Sequence, residues 1–111
     1  MDQLDAYRRI IEETLLEYRA RRYAYGDIRN ETVFDRLGDR YLVVSQGWEN
    51  KRRVHGTLIH IDIIDGKIWI QRDGTEDGIA NRFVAVGIPK DRIVLAFQSP
   101  DVRKFTDFAV A

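Results

Sequence analysis

The chain has 111 residues, 44% hydrophobic and 32% charged, with eighteen basic residues balanced by eighteen acidic ones and no cysteine. That composition suits one compact domain able to bury roughly two thirds of its unfolded surface. It excludes a disordered chain, disulfides, thiolate metal sites and cysteine nucleophiles, and it removes the strong overall pull to phosphate of many DNA-binding domains while leaving room for a local basic patch.

The opening MDQLDAYRRIIEE is acidic and amphipathic, without the apolar centre of a signal peptide. No apolar run approaches the ~18 residues of a membrane span, so a cytoplasmic protein is expected. Leu4, Tyr7, Ile11, Leu15 and Tyr18 recur at steps of three and four, which predicts a helix from about Leu4 to Arg19 with one buried face. Arg19, Arg21 and Arg22 follow where cations suit the negative end of the helix dipole.

From Thr32 the pattern changes to strands. Thr32–Phe34 and Tyr41–Ser45 are β-prone runs joined by Leu37-Gly38-Asp39, and Arg53–Ile64 is a longer strand. Asp65-Gly66 is a two-residue turn able to take positive φ at both centres, after which Lys67–Asp73 returns. These runs make a four-stranded antiparallel meander. A second helix is expected over Glu76–Val86, capped by Thr75 or Asp73 and closed by Gly87 and Pro89. Ile93–Phe97 reads as a short buried strand ended by Pro100, and the apolar tail Phe105–Ala111 is expected to pack against something. The fold class is α+β, an antiparallel sheet packed by an N-terminal helix and a second helix after the central hairpin.

The hairpin IHIDIIDGKIWIQRDGTE carries the candidate chemistry. With Asp65 and Gly66 as the loop, Asp62 pairs with Trp69, Ile61 with Ile70 and His60 with Gln71. Alternation then makes Ile59, Ile61, Ile63, Ile68 and Ile70 one core face. Leu58, His60, Asp62, Trp69, Gln71 and Asp73 fall on the other. A catalytic metal needs three or four convergent ligands with an open position, yet only His60 and Asp62 are close here, and Glu76 is expected in a helix first turn. The face instead reads as ordinary cross-strand pairs, or as an amphipathic docking patch of Trp69 with Leu58 and Trp48, since tryptophan is enriched at interface centres.

Two basic clusters are weighed for DNA. Arg19, Arg21 and Arg22 stand among Tyr18, Tyr23 and Tyr25, and Lys51-Arg52-Arg53 follows the Gly47-Trp48 corner. Each could contact phosphate, but a snorkelling helix end and a solvated strand entry are the commoner roles. The glycine-flanked GTEDG lacks the lysine of a P-loop and carries two carboxylates that would repel phosphate. Ser45, Ser99 and His55 form no nucleophile–base motif.

GWENKRRVHGTLIHIDIIDGKIWIQRDGTEDGIANRFVAVGIPKDRIVLAF, with the ending Thr106-Asp107-Phe108-Ala109, resembles the XisI family of fdxN-element excision controlling factors of cyanobacteria, and the likeness runs along about the whole chain as a single XisI-like domain. His55 and Thr57 depart from the Tyr and small residue of other members. The resemblance implies a controlling role in programmed DNA recombination, beside a separate recombinase and a nuclease-fold partner, XisH. It brings no catalytic residues. The expectation is therefore a regulatory protein that is not an enzyme and needs no cofactor. It would bind an XisH-like protein through Trp48, His60, Asp62, Trp69 and Gln71, or through Phe105 and Phe108 of the tail. Direct DNA binding through Arg19, Arg21, Arg22, Lys51, Arg52 and Arg53 is the alternative, and self-association is left open.

Overall fold

The computed structural model describes residues 3–21 and 27–111. In chain order it contains α1 (Gln3–Ala20), β1 (Asp27–Asp35), β2 (Arg40–Glu49), β3 (Arg52–Ile64), β4 (Lys67–Asp73), α2 (Ile79–Ala85), a 3-10 turn (Lys90–Arg92), β5 (Ile93–Leu95) and α3 (Pro100–Arg103). The first four strands form the expected antiparallel meander. The sheet is mixed, because β5 adds beside β4 in parallel, in the order β1-β2-β3-β4-β5. The strand expected over Ile93–Phe97 ends at Leu95.

One face of the sheet is covered by α1 and α2. Tyr7, Ile11, Leu15 and Tyr18 from α1 and Ile79, Ala80 and Phe83 from α2 close over Tyr41, Val43, Ile59, Ile61, Ile63, Ile68, Ile70 and Ile93. The period of 3.6 in the helices and of 2 in the strands converges on this layer. At β3–β4 the turn forms as the sequence requires, with φ of 51° at Asp65 and 77° at Gly66, the primed geometry whose twist matches the strands.

Two features shift the expected boundaries. The second helix starts at Ile79 rather than Glu76, because Gly78 takes φ 81° and the segment before it folds back on Asp73. That carboxylate accepts from the Thr75 amide (2.9 Å) and from the Ile79 amide (2.8 Å), so Asp73 supplies the expected cap from outside the helix. At the other end the Gly87 amide donates to the Val84 carbonyl and the Ile88 amide to the Phe83 carbonyl, with Gly87 at φ 105°. Ile88 and Phe83 are both buried, the apolar contact that accompanies such a left-handed helix stop.

α1 is fixed to the sheet by polar contacts at both ends. Arg8 holds Asp39 with two hydrogen bonds (2.8 and 3.1 Å), and the Tyr41 hydroxyl donates to the same carboxylate (3.0 Å). At the far end buried Asn30 donates to the Tyr18 carbonyl (2.8 Å) and accepts from Ser45 (2.7 Å), which satisfies a helix-terminal carbonyl. α1 therefore runs antiparallel to β1.

The Arg8 guanidinium holds the Asp39 carboxyl below its ordinary value, and Arg36 does the same for Glu12. Burial, then the Asp39 hydrogen bond, pushes Tyr41 up to about 12. A carboxylate depressed in the folded state contributes stability above its unfolded value, and that stability is lost as pH falls through the folded one. Melting temperature should thus fall on acidification below about pH 4, and Asp39→Asn should flatten that fall in a pH series of thermal melts, with Glu12 accounting for the remainder.

Candidate interaction face

The sheet face opposite the helices is where the candidate residues gather. The two-residue turn makes Ile64 and Lys67 a hydrogen-bonded pair, and alternation from there sets every other pair. The pairs Asp62–Trp69 and Ile61–Ile70 stand as the turn dictates. Beyond them the register slips, and His60 faces Arg72 instead of Gln71. Gln71 is the extra residue of a β-bulge, which moves β4 by one step relative to β3.

The bulge corrects one sequence assignment. Asp73 faces Ile59, not Leu58, and its side chain turns to the helix side, where it caps α2. A second slip lies between Val43–Ile59 and Val44–Thr57 and makes Leu58 the extra residue of β3. Leu58 consequently packs against the core rather than standing on the outer face. Glu76 lies in the loop before α2, away from His60 and Asp62.

What remains is a compact polar group. His60 Nε2 lies 3.0 Å from Asp62 Oδ1, and Gln71 Nε2 donates to Asp62 Oδ2 at 3.3 Å. Both carboxylate oxygens are thus engaged within the sheet. Beside this group run Val33, Leu42, Val44 and Thr57, linked by the pairs Val33–Leu42, Leu42–His60 and Val44–Thr57. Val33 is 50% exposed, and among the described residues α1 and α2 pack on the opposite face of the sheet. Trp48, at the end of β2, is 49% exposed with the Arg53 guanidinium 5.4 Å from its ring.

The β4–β5 side differs. Arg103 of α3 lies 5.5 Å over the Trp69 ring and donates to the carbonyls of Gln98 (2.9 Å), Ala96 (3.2 Å) and Leu95 (3.3 Å). The tail continues past β5, where the Ala109 amide donates to the Ile93 carbonyl (2.9 Å). Phe108 packs against the core. The apolar tail thus covers its own protein, while Phe105 points away at 82% exposure. Arg103 and Asn30 escaped sequence reasoning. The first strand was expected only from Thr32, whereas β1 starts at Asp27, so Asn30 fell outside the expected strand.

The basic clusters lie toward the same end of the sheet. Asp27 pairs with Trp48 and Trp48 with Arg53, and α1 ends beside Asn30. Arg19 and Arg21 therefore lie at the same end as Lys51, Arg52 and Arg53. Arg21 stacks 4.1 Å over Tyr18 and lines a cleft of about 410 Å³ with Asn30, Leu58 and the 74–77 loop. Arg52 reaches Glu49 at 3.6 Å. Arg22 lies outside the described residues. Among the described residues no three His, Asp or Glu side chains converge as metal ligands, and no helix is long and apolar enough to cross a membrane.

A family model described as XisI protein matches residues 1–110. The crystal structure of a XisI-like protein from Anabaena variabilis ATCC 29413 is 32% identical, covers 98% of this chain and 100% of its own, and superposes with a TM-score of 0.89. A second from the same organism, described as fdxN element excision controlling factor XisI, is 33% identical over 99% of this chain and 100% of its own, with a TM-score of 0.84. No curated protein matches the chain.

Asp73 is assigned to the helix cap, so Asp73→Ala should lower stability by about 1–2 kcal/mol in urea unfolding, the cost of a lost cap, and leave the His60–Asp62–Gln71 group in place, as histidine NMR shifts would report.

Proposed function

The chain belongs to the XisI family, and on that ground we propose that it is a cytoplasmic, non-enzymatic controlling factor of DNA-element excision that acts by binding an XisH-like, nuclease-fold protein. The observation that supports the binding role is the outer sheet face over β1–β3, where half-exposed Val33 and half-buried Leu42 and Val44 lie beside the His60–Asp62–Gln71 group, with exposed Trp48 at the end of β2. An apolar patch rimmed by fixed polar groups is the composition of a docking surface. Asp62 has both oxygens held by neighbours in the sheet, which suits a group that positions a partner better than one that activates water. Trp69 lies partly beneath Arg103, so it shapes the patch from its border, and exposed Phe105 offers a separate contact. Phe108 acts by holding the tail in place.

Truncating an aromatic anchor that a partner buries costs ~2 kcal/mol or more. Trp48→Ala combined with His60→Ala should therefore reduce retention of a co-expressed XisH-like protein about tenfold or more with the circular dichroism spectrum unchanged. Full retention by the folded double variant would remove this face from the proposal.

A second reading has one specific support, the gathering of Arg19, Arg21, Lys51, Arg52 and Arg53 at one end of the sheet. Phosphate contacts there would make DNA affinity fall with salt. A gel-shift titration should show a low-salt complex that Lys51→Glu with Arg52→Glu weakens at every sequence tested. The absence of any shift at low salt would exclude direct DNA contact.

A further inference from the structure

The two edges of the sheet are treated differently by the chain. At β5 the tail lies alongside, with the Ala109 amide on the Ile93 carbonyl, and Arg103 covers the carbonyls that follow. At the other edge stands β1, nine residues long and without proline or lysine. Long edges are normally blunted because their unpaired amides template pairing with another chain.

The phase of β1 follows from the turn. Ile64 pairs with Lys67 through hydrogen bonds, so Ile63 points its amide the opposite way, and it donates to the Asp39 carbonyl (2.9 Å). Stepping across the pairs Tyr41–Ile61 and Val33–Leu42, Arg29, Glu31 and Val33 turn their backbone toward β2. Ile28 and Thr32 turn theirs outward, and among the described residues neither makes another backbone bond.

We propose that this edge is an interface between two copies of the chain, β1 pairing antiparallel with β1 about a two-fold axis at Asn30 to give a continuous ten-stranded sheet. In that register Ile28 of each copy exchanges backbone hydrogen bonds with Thr32 of the other. Arg29 falls opposite Glu31 of the second copy, twice, in the non-hydrogen-bonded pairs where side chains approach most closely. Both residues are exposed, and within the chain neither has an ion-pair partner among the described residues. Neighbouring registers are poorer. An axis at Glu31 opposes Glu31 to itself and Asp27 to Asp35. An axis at Thr32 calls on Asp35, whose carboxylate already accepts from the Leu37 and Gly38 amides.

The helix layer agrees. α1 lies over β1 and β2 and ends beside Asn30, and strands sit about 4.8 Å apart, so the C-terminal ends of α1 and its copy would come within roughly 10 Å, a spacing that lets both helices keep their places on the sheet. On one flank α1 reaches α2 through Glu17 and Arg82; on the other Glu12 reaches Arg36 beside β1. A two-fold repeat of one self-complementary patch is the commonest way for identical subunits to close. This inference does not depend on the excision reading.

Analytical ultracentrifugation of the full chain tests it. A dimer is expected, and Arg29→Glu or Glu31→Arg alone should weaken it about tenfold or more by placing like charges opposite each other twice. The double exchange Arg29→Glu with Glu31→Arg should restore it. Thr32→Pro removes an outward amide that the monomer does not use, and should give a folded monomer by circular dichroism. A chain that stays monomeric at high concentration would overturn the proposal. So would a dimer indifferent to the single charge changes, or one that the double exchange fails to restore.

Discussion

The turn at Asp65-Gly66 is the constraint on which the rest of the molecule depends. Two consecutive residues with positive φ set the register of the pairs that follow the turn, Ile64–Lys67 to Ile61–Ile70, and a slip of one residue there would carry their isoleucines to the wrong side. Because the register is fixed there, Ile59, Ile61, Ile63, Ile68 and Ile70 present one apolar surface, and both helices bury against it. β5 then joins the exposed side of β4 with Ile93 in the same layer. The local choice of a Gly after an Asp thus propagates into the placement of α1, more than forty residues earlier in the chain.

Most of that was legible in the sequence because the hydrophobic period is a direct image of burial. The helix stripe from Leu4 to Tyr18, the turn and the stop at Gly87 each have one physical reading. The bulges were not legible. An extra residue in one strand leaves no mark in a period-2 pattern of this length, since Gln71 and Arg72 are both polar and Leu58 and Ile59 are both apolar. Yet the Gln71 bulge decides where Asp73 points, and so turns a supposed member of the His60 group into the cap of α2. The parallel pairing of β5 was hidden for a related reason, because three apolar residues specify burial but not a neighbour.

The tail shows the same division between what a residue type needs and where it finds it. Phe105–Ala111 is too apolar to stay in water, and that much follows from composition. Its target depends on Arg103, which gathers the carbonyls of Leu95, Ala96 and Gln98 before α3 and that of Val110 after it, and stacks on Trp69. Guanidinium is suited to this, with its donors in a rigid plane that also lies on an aromatic ring. One basic residue among eighteen carries no sequence signal that would single it out for such a role.

Once β5 and Trp69 are covered by the chain itself, the outward sheet surface is divided unequally. The side over β4 and β5 is closed, and the side over β1–β3 keeps its apolar row and its engaged carboxylate in the open. Val33 is half-exposed and Leu42 and Val44 are half-buried, and α3 with the last residues shows that a short segment of this chain can close one side of the sheet. The chain spends that cover on the β5 edge, which protects a parallel three-residue strand with few hydrogen bonds of its own. It leaves uncovered the antiparallel strands β1–β3, whose long ladders hold them without help. The more open face is therefore carried by the strands with the longest ladders, and for the docking role proposed above a surface already ordered in the free protein would leave little ordering entropy to oppose binding.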